Sequence, residues 1–197
     1  ALVSGLGDVY KRQVVGGASV LNAAAGALNT DGRVDLVVGS SDSLTTITIL
    51  FDYDTVGANF QSSTTLTTGT AFDPHYVAVA DLDGDGLADI ITSNPSSNSV
   101  VVFRRTGNGT FAAAQNLSVP NPSAIAIGDF NGDGKADIVT TSSSTNGVGL
   151  LQNLSTAGAI TFGNARTVAV GTTPSFVELK DIDGDSKLDL SLIHISE

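Results

Sequence analysis

The 197-residue sequence has no cysteine, no methionine and no tryptophan, and only two histidines. Without cysteine there is no disulfide, so a domain that needs stapling must find another device, and bound metal is one. Aromatic residues make up only 6% of the chain, which leaves the core to aliphatic side chains. Val, Ile and Thr dominate the apolar runs, and β-branched residues favour strands. No apolar run approaches the length of a helical membrane span. Basic residues are scarce: nine Lys and Arg against twenty Asp and Glu give a net charge of −11. That balance argues against nucleic acid as a partner, because phosphate binding needs clustered cations. The apolar fraction of 41% is enough for a core and argues against disorder.

The acids are placed rather than scattered. Eleven of the twenty lie in three nonapeptides of one pattern. The first is Asp81-Leu82-Asp83-Gly84-Asp85-Gly86-Leu87-Ala88-Asp89, with carboxylates at positions one, three, five and nine and glycines at four and six. Asp129 to Asp137 repeats it, with Asn131 as a neutral oxygen donor beside Asp129, Asp133 and Asp137. Asp181, Asp183, Asp185 and Asp189 repeat it again, with Ser186 at the sixth position. An eroded copy spans Ala27 to Asp35 and has lost its first carboxylate to Ala27. Alternate side chains of a tight loop converge on its concave side, and a ring of hard oxygen atoms is what Ca²⁺ requires. Gly86 supplies the positive φ such a turn needs; a serine in its place, as at Ser186, costs roughly 1–2 kcal/mol. Three bound divalent cations, six positive charges, would bring −11 to −5.

Loop starts at 27, 81, 129 and 181 are 54, 48 and 52 residues apart. A period near fifty signals a repeat architecture. Each loop joins two short apolar strands, as Tyr76–Ala80 and Ile90–Ser93 flank the second. Pro74, Pro122 and Pro174 each stand seven residues before their loop, where a strand entry tolerates the missing N–H. A third strand follows in each unit (Ile47–Phe51, Val100–Phe103, Val148–Leu151), then a looser fourth segment over 111–119 and 160–170. Four antiparallel strands in about fifty residues make a propeller blade. The expected fold is therefore all-β: about three and a half four-stranded antiparallel blades of a larger β-propeller, with calcium loops between strands. Blades are expected over 14–72, 73–121 and 122–173, with the opening of another over 174–190. Residues 1–13 and 191–197 do not fit the repeat and resemble translated sequencing-adapter read-through. They are set aside as tails, and 14–190 is read as part of a longer protein.

The loop Asp-x-Asp/Asn-x-Asp-Gly-x-x-Asp, the period, and Gly107-x-Gly109-x-Phe111 resemble FG-GAP-type repeats. These are the calcium-binding repeats of the integrin alpha-subunit propeller and of bacterial VCBS-type secreted proteins. The resemblance covers nearly all of 14–190. It implies Ca²⁺ as the ion, bidentate binding by Asp89, Asp137 and Asp189, and a backbone carbonyl ligand from Leu87, Lys135 and Lys187. It further implies an extracellular or cell-surface location. A literal Phe-Gly…Gly-Ala-Pro signature is not clean here, which favours the bacterial variants over close kinship with integrins.

An EF-hand loop would need an acid at position twelve, where Thr92, Thr140 and Leu192 stand. The remaining rival is a set of Asp-Gly turns without metal. No catalytic constellation is legible. His75 reads as a surface or packing residue, Arg104-Arg105 as a solvated strand edge, and the Asn-x-Ser/Thr triplets at Asn108, Asn116 and Asn153 as chance matches. The expected function is a calcium-stabilised binding or adhesion module that meets a protein or carbohydrate through propeller loops. The alternatives are the propeller of a secreted polysaccharide-degrading enzyme such as a lyase, and a spacer in a giant surface protein.

Overall fold

The computed structural model describes residues 20–40, 46–54, 59–67, 74–142 and 144–194. The tail expected over 1–13 lies outside them, as do residues 195–197. The first sheet holds β1 (Val20–Gly26), β2 (Asp35–Ser40), β3 (Thr46–Asp54) and β4 (Asn59–Thr67). The second holds β5 (Tyr76–Ala80), β6 (Asp89–Asn94), β7 (Ser99–Phe103) and β8 (Gln115–Ser118). The third holds β9 (Ile125–Gly128), β10 (Asp137–Ser142), β11 (Gly147–Leu151) and β12 (Arg166–Ala169). A two-stranded sheet of β13 (Pro174–Lys180) and β14 (Asp189–His194) follows. Strands run in chain order within each sheet and pair antiparallel. Helix is confined, among the described residues, to one 3₁₀ turn at Pro95–Ser97. No helix there is long and apolar enough to cross a membrane. The architecture is that of consecutive β-propeller blades.

Three of the four buried apolar clusters lie between blades, which explains why the second strands read as nearly unbroken β-branched runs. Every residue of β6 and of β10 is buried. Successive side chains of a strand point to opposite faces. Accordingly Ile90 packs with Leu28, Val37, Ile47 and Ile49 of the first blade, while Ile91 packs with Ile125, Ile138 and Leu151 of the third. Val139 turns the other way from Ile138 and meets Val177 of β13. Where blades approach closely a side chain does not fit: a Cβ on Gly128 would lie 2.7 Å from Leu188 Cδ1.

Two boundaries differ from the sequence expectation. The looser fourth segments shrink to β8 and β12, because residues 104–111 and 152–162 leave the sheet to reach the preceding blade. Isolated bridges tie those excursions together: Arg105 to Phe111 in the first, and Asn153 to Phe162 and Thr156 to Ala159 in the second. At the other end, β14 runs past residue 190, pairing Ser191 with Glu178 and Leu192 with Val177. The alternation Leu190-Ser191-Leu192 suits that pairing.

Candidate metal centre

Each acidic nonapeptide is the connection between the first and second strands of its blade. The first carboxylate organises the loop. Asp81 accepts the Gly84 N–H at 2.8 Å and the Gly86 N–H at 2.8 Å through its two oxygens. Asp129 does the same for Gly132 and Gly134, both at 2.7 Å. Asp181 does it for Gly184 and Ser186, at 2.7 and 2.9 Å. Positions three and five each accept a backbone N–H two residues on: Asp83 from Asp85 at 3.1 Å, Asp85 from Leu87 at 2.8 Å. Asn131 and Asp133 bind the N–H groups of Asp133 and Lys135 alike, and Asp183 and Asp185 those of Asp185 and Lys187. Each of these residues gives one side-chain oxygen to the loop; the second oxygen of Asp83 accepts the Gly158 N–H at 3.0 Å, and that of Asp85 stands 3.8 Å from Arg104. Gly86 and Gly134 sit at φ +84°, and Ser186 is forced to φ +66° at the same position.

The ninth carboxylate opens the second strand and is the most deeply set. Asp89 and Asp137 are fully buried. Asp89 accepts the Leu82 N–H at 2.9 Å and the Arg105 N–H at 2.8 Å. Asp137 accepts from Phe130 at 3.3 Å and from Asn153 at 2.7 Å. Side-chain oxygens of Asp81, Asp83 and Asp89 lie within 4.8 Å of one another, as do those of Asp181, Asp183 and Asp189. Three carboxylates this close offer hard oxygen ligands and could hold a metal ion.

The family model for the FG-GAP-like repeat matches residues 28–92, 88–140 and 129–191. The chain belongs to the FG-GAP-like repeat family. No curated protein matches it. Among solved structures, the repeats superpose on selenomethionine-substituted virginiamycin B lyase from Staphylococcus aureus with a TM-score of 0.53 and 14% identity. That match covers 87% of this chain and 55% of the lyase. They also superpose on BBS1N from its complex with ARL6DN, soaked with lead: TM-score 0.54, 12% identity, 89% of this chain and 46% of that one. The chain thus spans about half the length of each. Such likeness shows the propeller fold alone.

The electrostatics of the FG-GAP-like loops follow burial. Desolvation pushes the Asp89 carboxyl up to about 6, against two backbone N–H bonds that pull it down. Burial likewise raises Asp83 and Asp137 above the usual carboxylate range. Asp129 lies below that range, because the Gly134 and Gly132 N–H groups favour its ionised form. Repulsion among the acids adds to the strain, as Asp83 and Asp85 both raise Asp89.

The eroded repeat is built differently. Asp52, at φ +60° past the end of its strand's apolar run, turns its carboxylate onto the loop 27–35. It bonds the Asn29 amide and touches Asp31, and that contact raises the Asp52 carboxyl. Its backbone N–H meets Asp35 at 3.0 Å.

Three polar residues to which the sequence gave no part in the loops, Arg104, Arg105 and Asn153, belong to this region. Arg104 and Arg105 are not a solvated edge. The Arg104 guanidinium stands 3.8 Å from both Asp83 and Asp85. Arg105 is buried, donating to Gly107 O at 2.7 Å and to Ala27 O, in the loop of the preceding blade, at 2.9 Å. Asn153 is fully buried with its amide engaged, so its Asn-x-Ser triplet is no glycan acceptor in the folded chain. His75 is exposed, in keeping with its surface reading. One signal could have exposed this layer: an apolar residue at position two of every loop, Leu28, Leu82, Phe130 and Ile182. Leu28 and Leu82 are buried against the following blade, and Phe130 is half-buried against the next.

Proposed function

We propose that the chain is a calcium-stabilised, extracellular or cell-surface propeller region that serves as a binding or adhesion module and is not itself catalytic. The observation that supports this reading most is the buried Asp89 with Asp81 and Asp83 around one point. Burying carboxylates is unfavourable unless a cation or a proton compensates. The proposed ligands are Asp81, Asp83, Asp85 and Asp89 with the Leu87 carbonyl; Asp129, Asn131, Asp133 and Asp137 with that of Lys135; and Asp181, Asp183, Asp185 and Asp189 with that of Lys187. The ion ties the hairpin at the edge of each blade and stiffens the scaffold. Extracellular calcium modules bind at about 10⁻⁴–10⁻³ M. Saturation a hundredfold above Kd adds about 2.7 kcal/mol per site, and two or three sites rival the stability of a small domain. The partner, a protein or a carbohydrate, meets loops that such a scaffold holds still.

Thermal unfolding of the full chain under calcium titration tests this, beside Asp85→Ala and Asp133→Ala. The melting temperature should climb with calcium in the parent and climb less in each variant. A folded parent indifferent to calcium would return the loops to plain Asp-Gly turns. The alternative, the propeller of a secreted polysaccharide-degrading enzyme, draws on the fold shared with a lyase, and a fold does not carry a reaction.

A further inference from the structure

The connector between the third and fourth strands of the third blade touches two acidic loops at once. Asn153, fully buried, sits at its root. Its Nδ2 donates to Leu82 O at 2.7 Å, in the loop 81–89 of the preceding blade, and to Ala136 O at 2.8 Å, in the loop 129–137 of its own. Its backbone N–H donates to Asp137 at 2.7 Å, and its Oδ1 accepts the Ser155 N–H at 2.8 Å. Both amide hydrogens and the amide oxygen are therefore used. Further along, the Gly158 N–H donates to Asp83 Oδ2 at 3.0 Å, and Ser155 O accepts from Lys135 Nζ at 2.8 Å. Five loop residues, Leu82 and Asp83 on one side and Lys135, Ala136 and Asp137 on the other, are thus held by three connector residues, Asn153, Ser155 and Gly158.

We propose that Asn153 is a positioning residue that couples the two loops, so that a cation held by one raises the affinity of the other. The proposal rests on the calcium reading of the loops. Leu82 lies between Asp81 and Asp83, and its N–H is already bound by Asp89. An ion drawing those carboxylates together fixes the Leu82 carbonyl. That carbonyl fixes the Asn153 amide, which in turn orients the Ala136–Asp137 peptide. The second loop is then partly ordered before its ion arrives, and ordering already met by one ligand need not be met again by the next. Coupling is reciprocal, and couplings of this kind run from about 5-fold to 150-fold. One junction of hydrogen bonds points to the low end. The device recurs one blade earlier with another side chain: Arg105 N–H meets Asp89, and its guanidinium meets Ala27 O.

The test is calcium calorimetry on the full chain carrying Asp185→Ala, which silences the loop 181–189. Adding Asp133→Ala should weaken binding at 81–89 about fivefold. In an Asn153→Ala background the same addition should change it less than twofold. Calcium binding at neither loop would overturn the reading of the loops themselves. Binding at both without mutual effect, or an effect that persists in Asn153→Ala, would overturn only the coupling. Should Asn153→Ala fail to fold, hydrogen exchange on the Asp85→Asn/Asp185→Ala chain decides. Calcium, then confined to 129–137, should slow exchange of the Leu82 and Gly158 amides severalfold, and unchanged exchange would overturn the coupling.

Discussion

Leu82 and Ile182 occupy the same second position of their loops, yet Leu82 is 2% exposed and Ile182 is 64% exposed. The difference is the blade that follows. Leu82 is capped by the third blade, packing with Leu151, Ile138 and Phe162. Ile182 lies in the loop between β13 and β14 and faces solvent.

That contrast sets two substitutions apart. Leu82→Ala removes a buried side chain and leaves a cavity between blades, at a cost of about 2–5 kcal/mol. Ile182→Ala exposes nothing new and should stay within about 0.5 kcal/mol. Urea unfolding of both variants in the same buffer measures the gap. Equal losses would mean that Leu82 is no inter-blade plug.

Ser186→Gly should stabilise the chain. Ser186 holds φ +66°, a conformation that costs a side-chain residue roughly 1–2 kcal/mol. Glycine adopts it freely but gives back roughly 0.5–1 kcal/mol through the more flexible unfolded chain. A net gain of a few tenths to about 1 kcal/mol is expected, with tighter calcium binding at 181–189. The reciprocal Gly86→Ser should do the opposite at 81–89. A lower melting temperature for Ser186→Gly would contradict the strain assigned here.

Acid should act in opposite directions with and without calcium. Burial raises the Asp89 carboxyl in the folded chain to about 6 from an ordinary value near 3.8. Between those values the folded state holds more protons than the unfolded one, so stability falls as pH rises through that window. Asp83 and Asp137 shift the same way. In chelator, the melting temperature should therefore rise on going from pH 7 to pH 5. With calcium the carboxylates are held ionised, protons compete with the ion, and the melting temperature should fall over the same step. Parallel melts at the two pH values, with calcium and with EDTA, check both arms; a fall in both would be evidence against a buried, uncompensated Asp89.

Arg104→Gln should widen the calcium response. The guanidinium, 3.8 Å from Asp83 and Asp85, partly neutralises the calcium-free loop and repels an incoming dication. A part-exposed pair of this kind contributes at most about 1 kcal/mol. The variant should melt slightly lower in EDTA and bind calcium about two- to fivefold more tightly, as the lost repulsion of up to 1 kcal/mol implies. Weaker binding would instead make Arg104 an organiser of the ligands.

What the sequence determined by itself was local or periodic. The in-phase acids at 81, 129 and 181, the glycines between them and the spacing near fifty announce loops, hairpins and blades without any knowledge of what lies across the interface. The positive φ at the sixth position could be anticipated at Ser186 because turn geometry depends on a few adjacent residues. The tertiary structure decided whatever joins one blade to the next. Arg105 and Asn153 read as an exposed charge and a chance glycan triplet, since their partners, Ala27 and Leu82, stand 78 and 71 residues earlier. The depth of Asp89 was equally hidden: its carboxyl is pushed up by desolvation, and desolvation is the work of neighbouring strands packed over it. Periodicity records a repeated local solution, whereas the coupling between repeats is written only where two distant stretches of chain meet.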